Sequence, residues 1–246
     1  MRVKKLLRVA AALSAIGAGY FAYLYLTLPD VSALRSANPA TTAFMDLRAA
    51  EARSRGEAPR RNHRWVAYGR IAPALRRAVL VAEDSAFWAH DGIDVEQIRA
   101  SLEHDLERGR ISRGGSTITQ QLAKNLYLSP SKNPFRKLRE LLIARRLEAE
   151  LSKARILEIY LNVIEWGDGV YGAEAAARAY FGKPASALDT GEAAMLAGCI
   201  INPRLLNPSK VTPRLLRRQR LILSRMGTVS PPPDTGAPAP PVPPSL

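Results

Sequence analysis

Apolar residues recur every three or four positions along most of this chain, whereas strand-like alternation of apolar and polar residues is scarce. That spacing is typical of helices that bury one face. Prolines at first helical positions and oxygen-bearing side chains at caps mark several helix starts. Helices are therefore predicted to begin near Pro73, Asp94, Arg136, Ser152 or Lys153, Glu174, Gly191 and Pro213. The predicted fold class is mostly α.

The N-terminus has the pattern of a membrane anchor. Residues 1–8 contain four cations, and residues 9–28 contain no charge. A helix of about 20 apolar residues is roughly 30 Å long, enough to cross a bilayer. The alternative is a cleavable signal peptide, but no obvious Ala-x-Ala cleavage motif precedes Pro29. We therefore predict an uncleaved transmembrane helix with its basic end in the cytoplasm and the rest of the chain outside.

Composition divides the remainder of the chain into three parts. Residues 29–61 are mixed and polar, and they are predicted to form a stalk. Residues 62–227 are predicted to form one compact domain, in which we find no internal repeat. Residues 228–246 are rich in proline and have little hydrophobic bulk, so a disordered or polyproline-like tail is expected there.

The charge balance indicates an anionic partner. The formal net charge is +14 and the sequence pI is about 10.4. Such a balance suits nucleic acid, anionic lipid or a phosphate-bearing substrate. The single cysteine, Cys199, lies in an apolar stretch and is predicted to be an inert buried thiol. One cysteine and three widely spaced histidines do not form the ligand pattern of a zinc site.

Two adjacent carboxylates, Glu83 and Asp84, follow the apolar helix that begins at Pro73. A carboxylate at the end of a buried helix is partly desolvated, which raises its pKa toward a value useful for accepting a proton. The alternative is a solvated helix terminus. Phe87, His90 and Gly92 follow closely, and we expect them to shape the loop rather than to act chemically.

A second candidate segment runs from Arg113 to Asn125. Its paired glycines allow close approach of the backbone to a ligand, and its hydroxyls and amides offer donors and acceptors for sugar or phosphate oxygens. Ser116 is predicted to cap the helix that follows, with free N–H groups available to an anion. The segment is not a P-loop, because the required spacing and Gly-Lys ending are absent. A flexible loop with an ordinary helix cap is the alternative.

A third candidate segment runs from Lys132 to Glu140. Arg136 and Lys137 precede Glu140 by four and three residues, so all three share one helix face. The pattern places a carboxylate among cations. Taken alone, it is better explained as a surface ion pair, which contributes under about 1 kcal/mol.

In this order, these segments and the run from Lys153 to Asn162 resemble the family 51 glycosyltransferases, the peptidoglycan transglycosylases. The resemblance extends from about Trp65 to Asn207, and the stretch from Val163 to Val170 is similar to the monofunctional biosynthetic form. No second, penicillin-binding domain is seen, which also resembles that form. The family has a lysozyme-like large lobe and a smaller, membrane-proximal jaw lobe, so we expect both here after the transmembrane helix.

The resemblance implies an enzyme that polymerises lipid II into β-1,4-linked glycan, with inversion at the anomeric carbon and release of undecaprenyl pyrophosphate. Glu83 matches the motif's first glutamate, the general base, and Glu140 matches its second; both are the expected catalytic residues. Lys124 matches a lysine that contacts pyrophosphate. Lys132 stands where many members have arginine, which keeps the charge but loses the bidentate fork. The expected substrate-binding residues are Asp84, Ser116, Thr117, Gln120, Gln121, Lys124, Asn125, Lys132, Arg136 and Lys137.

The same resemblance implies partners and a location. We expect lipid II, the lipid-linked glycan and membrane lipid as partners, with cell-wall synthesis or division proteins as further candidates, and a catalytic domain in the periplasm, anchored in the inner membrane. An apolar flap is predicted to dip into the outer leaflet, formed by Leu126, Tyr127, Leu128 and Phe135. No cofactor is predicted, although a divalent cation (Mg or Mn) at the pyrophosphate is chemically reasonable.

Three other function classes compete with the polymerase. A lysozyme-like hydrolase also places a glutamate at a helix end, but it has no need of a lysine-rich pyrophosphate cleft. A basic anchored scaffold would tolerate the loss of the Glu83 carboxylate. Nucleic-acid binding is disfavoured, because the positive charge is spread through the domain and the predicted topology places it outside the cell.

Overall fold

The computed structural model describes residues 2–108, 115–129 and 134–228, and the described part is mostly helical, as predicted. The proline-rich tail predicted for residues 228–246 lies outside the described residues, except for Thr228. The helices are α1 (Arg2–Leu26), α2 (Ala43–Ser54), α3 (Pro73–Glu83), α4 (Val95–Arg108), α5 (Ile118–Tyr127), α6 (Pro134–Glu150), α7 (Lys153–Val163), α8 (Ala173–Phe181), α9 (Thr190–Cys199) and α10 (Pro213–Arg225).

Side-chain caps begin the helices where the sequence predicted them. Asp94 Oδ1 accepts the backbone N–H of Gln97 at 2.7 Å and so begins α4. Ser152 caps α7, and Thr212 caps α10, where Pro213 occupies the first helical position. The helix boundaries are therefore set by local chemistry.

The core lies between α3, α5, α6, α7, α8 and α9, which are joined by apolar faces. Leu75 and Leu80 of α3 and Leu122 of α5 are completely buried there. Gly198 of α9 allows α10 to approach, because a Cβ at this position would lie 3.2 Å from Leu215 Cδ1. Cys199 is buried as predicted, and its burial raises the pKa of the thiol to about 12. A thiol with that pKa stays protonated at neutral pH.

A small three-stranded sheet accompanies the helices. Its strands are β1 (Asn62–His63), β2 (Glu165–Gly167) and β3 (Val170–Tyr171), in the order β1-β3-β2. The central strand, β3, pairs parallel with β1 and antiparallel with β2. The sequence did not predict these strands, because segments of two or three residues are too short to show alternation.

The N-terminal helix fits a single-pass membrane anchor. Its span of 24 residues, Val3–Leu26, has a mean hydropathy of 1.6, and only 6% of the most apolar window is buried. Arg139 of α6 donates hydrogen bonds to the carbonyl of Thr27 at 2.6 Å and to its hydroxyl at 3.3 Å. The end of the anchor is therefore attached directly to α6.

The segment predicted to be a stalk is folded onto the domain. Val31, Leu34 and Met45 lie in the core, and α2 packs on α5. Arg155 of α7 donates to the carbonyl of Leu34 at 2.8 Å and also to Ala37 and Asn38. The stalk prediction is corrected accordingly for these residues: isolated apolar residues within a polar segment carry no periodic signal, yet each fills a place in the core.

The predicted membrane flap also differs from the structure. Leu126 and Leu128 are each only 7% exposed and belong to the core, so neither can enter a bilayer. Phe135 is exposed, and its ring packs edge-on against Tyr20 of α1 with centroids 5.1 Å apart. The apolar contact at this point is with the anchor helix.

Candidate active site

Glu83 ends α3 and is mostly enclosed by protein. Its Oε2 accepts a hydrogen bond from Gln121 Nε2 at 2.9 Å. Burial raises the pKa of the Glu83 carboxyl above its usual range, and the Gln121 hydrogen bond and the charges of Arg218 and Lys124 oppose that shift without cancelling it. The alternative of a solvated helix terminus does not fit this environment. A carboxyl of this kind is suited to exchange a proton near neutral pH.

Asp84 is turned inward and is only 2% exposed. Its carboxylate accepts the backbone N–H of Ile118 at 2.9 Å and faces His90 Nε2 at 3.0 Å. His90 Nδ1 in turn accepts the N–H of Gly92 at 3.1 Å, so Nε2 carries the proton that is given to Asp84. The oxygens of Asp84 thus fix the start of α5 beside Glu83, and a direct contact of Asp84 with substrate stays a prediction.

Thr117 and Gln120 are also internal residues, although substrate contacts were predicted for both. The Thr117 hydroxyl donates to the carbonyl of Gly92 at 2.7 Å, and Gln120 Nε2 donates to the same carbonyl at 3.2 Å. Thr117, not Ser116, caps α5 by accepting the N–H of Gln120. Thr117 and Gln120 are 0% and 1% exposed, and their contact with substrate stays a prediction. Both residues hold the loop around Gly92 against α5.

One face of α5 lies beside Glu83, and we call the surface between Glu83 and Glu140 the groove. Gln121 bridges two residues: its Nε2 donates to Glu83, and its Oε1 accepts the Tyr160 hydroxyl at 2.9 Å. Lys124 lies one turn further along and is partly exposed. Asn125 donates to the Gln121 carbonyl at 2.8 Å and is 9% exposed, so it offers little surface to a ligand.

Glu140 on α6 is buried between two cations. Its Oε2 lies 2.7 Å from Arg136 Nη1, and its Oε1 lies 2.6 Å from Lys137 Nζ. The Glu140 side chain is 5% exposed, while those of Arg136 and Lys137 are 21% and 42% exposed. The arrangement is not a surface ion pair, because the carboxylate is hidden and the cations face outward. Glu140 therefore orients two positive charges toward the groove.

A chain of contacts joins the two acidic centres across the groove. Gln121 Nε2, bonded to Glu83, also lies 3.4 Å from the Ser116 carbonyl. Lys137 Nζ lies 3.5 Å from the Ser116 hydroxyl and 2.8 Å from Gln120 Oε1, and it pairs with Glu140. Ser116 is exposed between them. The structure thus brings Glu83 and the cations to one groove, whereas Lys132 lies outside the described residues.

Three side chains beside the groove, two carboxylates and one imidazole, resemble a metal site. One ligand atom from each of Asp84, His90 and Asp94 lies within 4.8 Å of the others. The donor set does not fit a divalent cation, however. His90 Nε2 must hold a proton because Nδ1 accepts the Gly92 N–H, and Asp94 is used to cap α4.

Two groove residues were not among the predicted site residues. Tyr160 lies in a run that we interpreted as packing, and its hydroxyl orients Gln121. Arg218 lies far along the chain from Glu83, on α10, which packs against α3 and α9. No sequence signal connects position 218 with position 83, since only the packing of α10 brings them together.

Comparison with known proteins gives consistent results. The sequence profile described as "Transglycosylase" matches residues 50–227. A protein named biosynthetic peptidoglycan transglycosylase from Laribacter hongkongensis is 51% identical over 193 residues, covering 78% of this chain and 85% of that one. Proteins of the same name from Nitrosomonas eutropha and Chromobacterium violaceum are 50% and 45% identical, covering 79% and 88% of this chain and 80% and 95% of theirs.

Proposed function

This chain belongs to the transglycosylase family of peptidoglycan glycosyltransferases, and we propose that Glu83 is the general base of its polymerisation reaction. Glu83 takes the proton from the sugar 4-hydroxyl of an incoming lipid II. That oxygen forms a bond with the anomeric carbon of the growing chain from the face opposite its pyrophosphate. The carbon–oxygen bond to undecaprenyl pyrophosphate breaks with its electron pair, so the centre inverts to a β-1,4 linkage.

The observation that carries this proposal is a carboxyl of raised pKa that faces cations across one groove. Burial makes the Glu83 carboxylate more basic than a solvated one, and the Gln121 hydrogen bond keeps an oxygen in a defined position. A base must hold its oxygen within hydrogen-bond reach of the proton that it removes. A fully hydrated carboxylate at the same position would be a weaker base.

The cations serve the leaving group. A departing pyrophosphate gains negative charge in the transition state, and fixed positive charges in a water-poor cleft stabilise that charge by several kcal/mol. Removal of one such donor lowers the rate by about 10²–10³-fold. Lys124, Arg136 and Lys137 are the groove's candidates for this role. Glu140 acts as a positioning residue, because its oxygens are occupied by Arg136 and Lys137 and do not face substrate.

The predicted location follows from the anchor. With α1 in the inner membrane and its basic end in the cytoplasm, the groove lies on the periplasmic side, near the lipid-linked substrates. Protease added to intact spheroplasts should then degrade the folded domain but spare α1. Protection of the whole chain would contradict this topology.

The decisive test uses purified full-length protein with lipid II. Wild type should produce long glycan, while Glu83→Gln should lose nearly all turnover. The matched control is Glu103→Gln, which removes an exposed carboxylate from α4 that pairs with Arg99 on the same helix. Full activity of Glu83→Gln would overturn the proposal. Shortening of added glycan strands by wild type, with no new polymer, would instead indicate a hydrolase.

A further inference from the structure

Helix α10 carries an unusual concentration of unpaired positive charge. The chain has no acidic residue between Glu192 and Asp234, and α10 alone contains five arginines. Within the described part of the chain, none of these five forms an ion pair, whereas some arginines elsewhere, such as Arg35 and Arg178, pair with glutamates. Unopposed like charges three or four residues apart destabilise a helix. A partner that brings negative charge would remove that cost.

Part of this charge forms a row beside the catalytic groove. Arg214, Arg218, Leu221 and Arg225 are spaced four, three and four residues apart, so they share one face of α10. Leu215 and Ile222 form the adjacent buried face, and the row therefore borders the body of the domain. Arg218 Nε donates to the Gly198 carbonyl at 3.0 Å, which holds its side chain near the surface of α9. The α10 row is our name for these four residues.

The α10 row adjoins the side of the groove that Glu83 occupies. Helix α10 packs on α3, whose last residue is Glu83, and the charge of Arg218 reaches that carboxyl. The end of the membrane anchor is held instead by α6, through Arg139 and Thr27. The α10 row and the anchor thus attach to different walls of the groove. This arrangement favours a molecule that leaves the groove as the partner of the α10 row, rather than the bilayer surface.

We propose that the α10 row binds the free carboxylates of the peptides on a peptidoglycan strand as it leaves the groove. This proposal rests on the proposed function, because it takes the anionic partner to be the product of the reaction. The sugars of a peptidoglycan strand are uncharged, and its negative charge comes from the carboxylates of the attached peptides. A linear array of guanidinium groups, each able to hold a carboxylate with two parallel hydrogen bonds, matches anionic groups spaced along a strand.

The test measures binding of soluble glycan strands to full-length protein in neutral detergent, by fluorescence anisotropy. One strand sample keeps its free carboxylates, and a second is the same material after carbodiimide coupling to ammonia has converted them into neutral amides. Wild type should prefer the strand with free carboxylates. Arg214→Ala with Arg225→Ala should weaken that binding about three- to tenfold, as expected for two exposed charge contacts. The matched control, Arg217→Ala with Arg220→Ala, removes equal charge from other faces of α10 and should change it less than twofold.

Several results would overturn the proposal. These are equal binding of the amidated and the unmodified strands, equal effects of the two double variants, or an effect confined to mixed micelles that contain phosphatidylglycerol. The last would indicate a lipid surface as the partner. If wild type fails to polymerise lipid II, the proposed function itself is wrong. If it polymerises but does not prefer the strand with free carboxylates, only the role of the α10 row is wrong.

Discussion

Replacing Gln121 with alanine should move the acidic limb of the pH–rate profile to higher pH. The Gln121 amide donates to the ionised form of Glu83 at 2.9 Å and thereby lowers the pKa of that carboxyl, against the larger effect of burial. Without the donor, the pKa of Glu83 rises further. Because a general base acts in its deprotonated form, activity then begins to fall at a higher pH during acidification.

The size of the shift follows from the hydrogen bond. A hydrogen bond to a charged group contributes about 1.5–3 kcal/mol, and one pKa unit corresponds to about 1.4 kcal/mol. Water entering the space left by the amide will replace part of the lost interaction. We therefore expect a shift of about one pH unit. Tyr160→Phe, which removes only the hydroxyl that holds Gln121 Oε1 at 2.9 Å, should shift the limb in the same direction by less.

The assay is kcat/KM for lipid II polymerisation between about pH 5 and pH 9, since kcat/KM reports the pKa values of the free enzyme. Asn125→Ala is the control, because Asn125 bonds the backbone of Gln121 and does not contact Glu83. An acidic limb that stays in place in Gln121→Ala, or moves to lower pH, would refute the assignment of Glu83 as the titrating base.

Three further substitutions test other parts of the site. Asp84→Ala should destabilise the fold by about 2–4 kcal/mol in urea unfolding, since it leaves the Ile118 N–H buried without its acceptor. Glu140→Gln should lower kcat/KM by about tenfold or more, because Arg136 and its neighbouring lysine lose the charge that orients them; unchanged kinetics would contradict this role. Glu83→Gln should raise Tm at neutral pH. Because the pKa of Glu83 is higher in the folded than in the unfolded protein, ionisation of Glu83 costs stability as the pH rises from the unfolded to the folded pKa. The glutamine amide cannot ionise, so the variant avoids that loss.

The sequence predicted which helices form and which segments meet, but not the direction of each side chain. Gln120 and Gln121 are adjacent on α5 and chemically identical, yet Gln120 binds the loop carbonyl of Gly92 and Gln121 binds Glu83. A rotation of about 100° per residue separates their directions. Only the packing of α5 against its neighbours decides which glutamine lines the groove. For the same reason, Thr117 caps α5 in place of Ser116, and Ser116 is exposed.

Long-range packing accounts for the other differences. Val31 and Leu34 reach the core because the arginine at position 155 binds the carbonyl of Leu34, a contact between residues 121 positions apart. Arg218 acts on Glu83 through a comparable separation. Periodicity and motif spacing describe neighbours along the chain, so neither predicts such contacts.

The acidic residues of the groove differ in role: one is available to the substrate, and the others hold neighbouring parts of the protein in place. Asp84 and Glu140 are the two carboxylates with the least exposure in the site, and each already accepts strong partners from the protein. Among the described residues, Glu83 accepts a hydrogen bond from the Gln121 amide and feels the charges of Arg218 and Lys124. Its carboxylate therefore combines raised basicity with an oxygen, Oε1, that accepts no hydrogen bond from these residues. Adjacent acids of one motif thus differ in function because their partners differ, and the expected failure of Glu83→Gln, with Asp84→Ala acting through stability, follows from that difference.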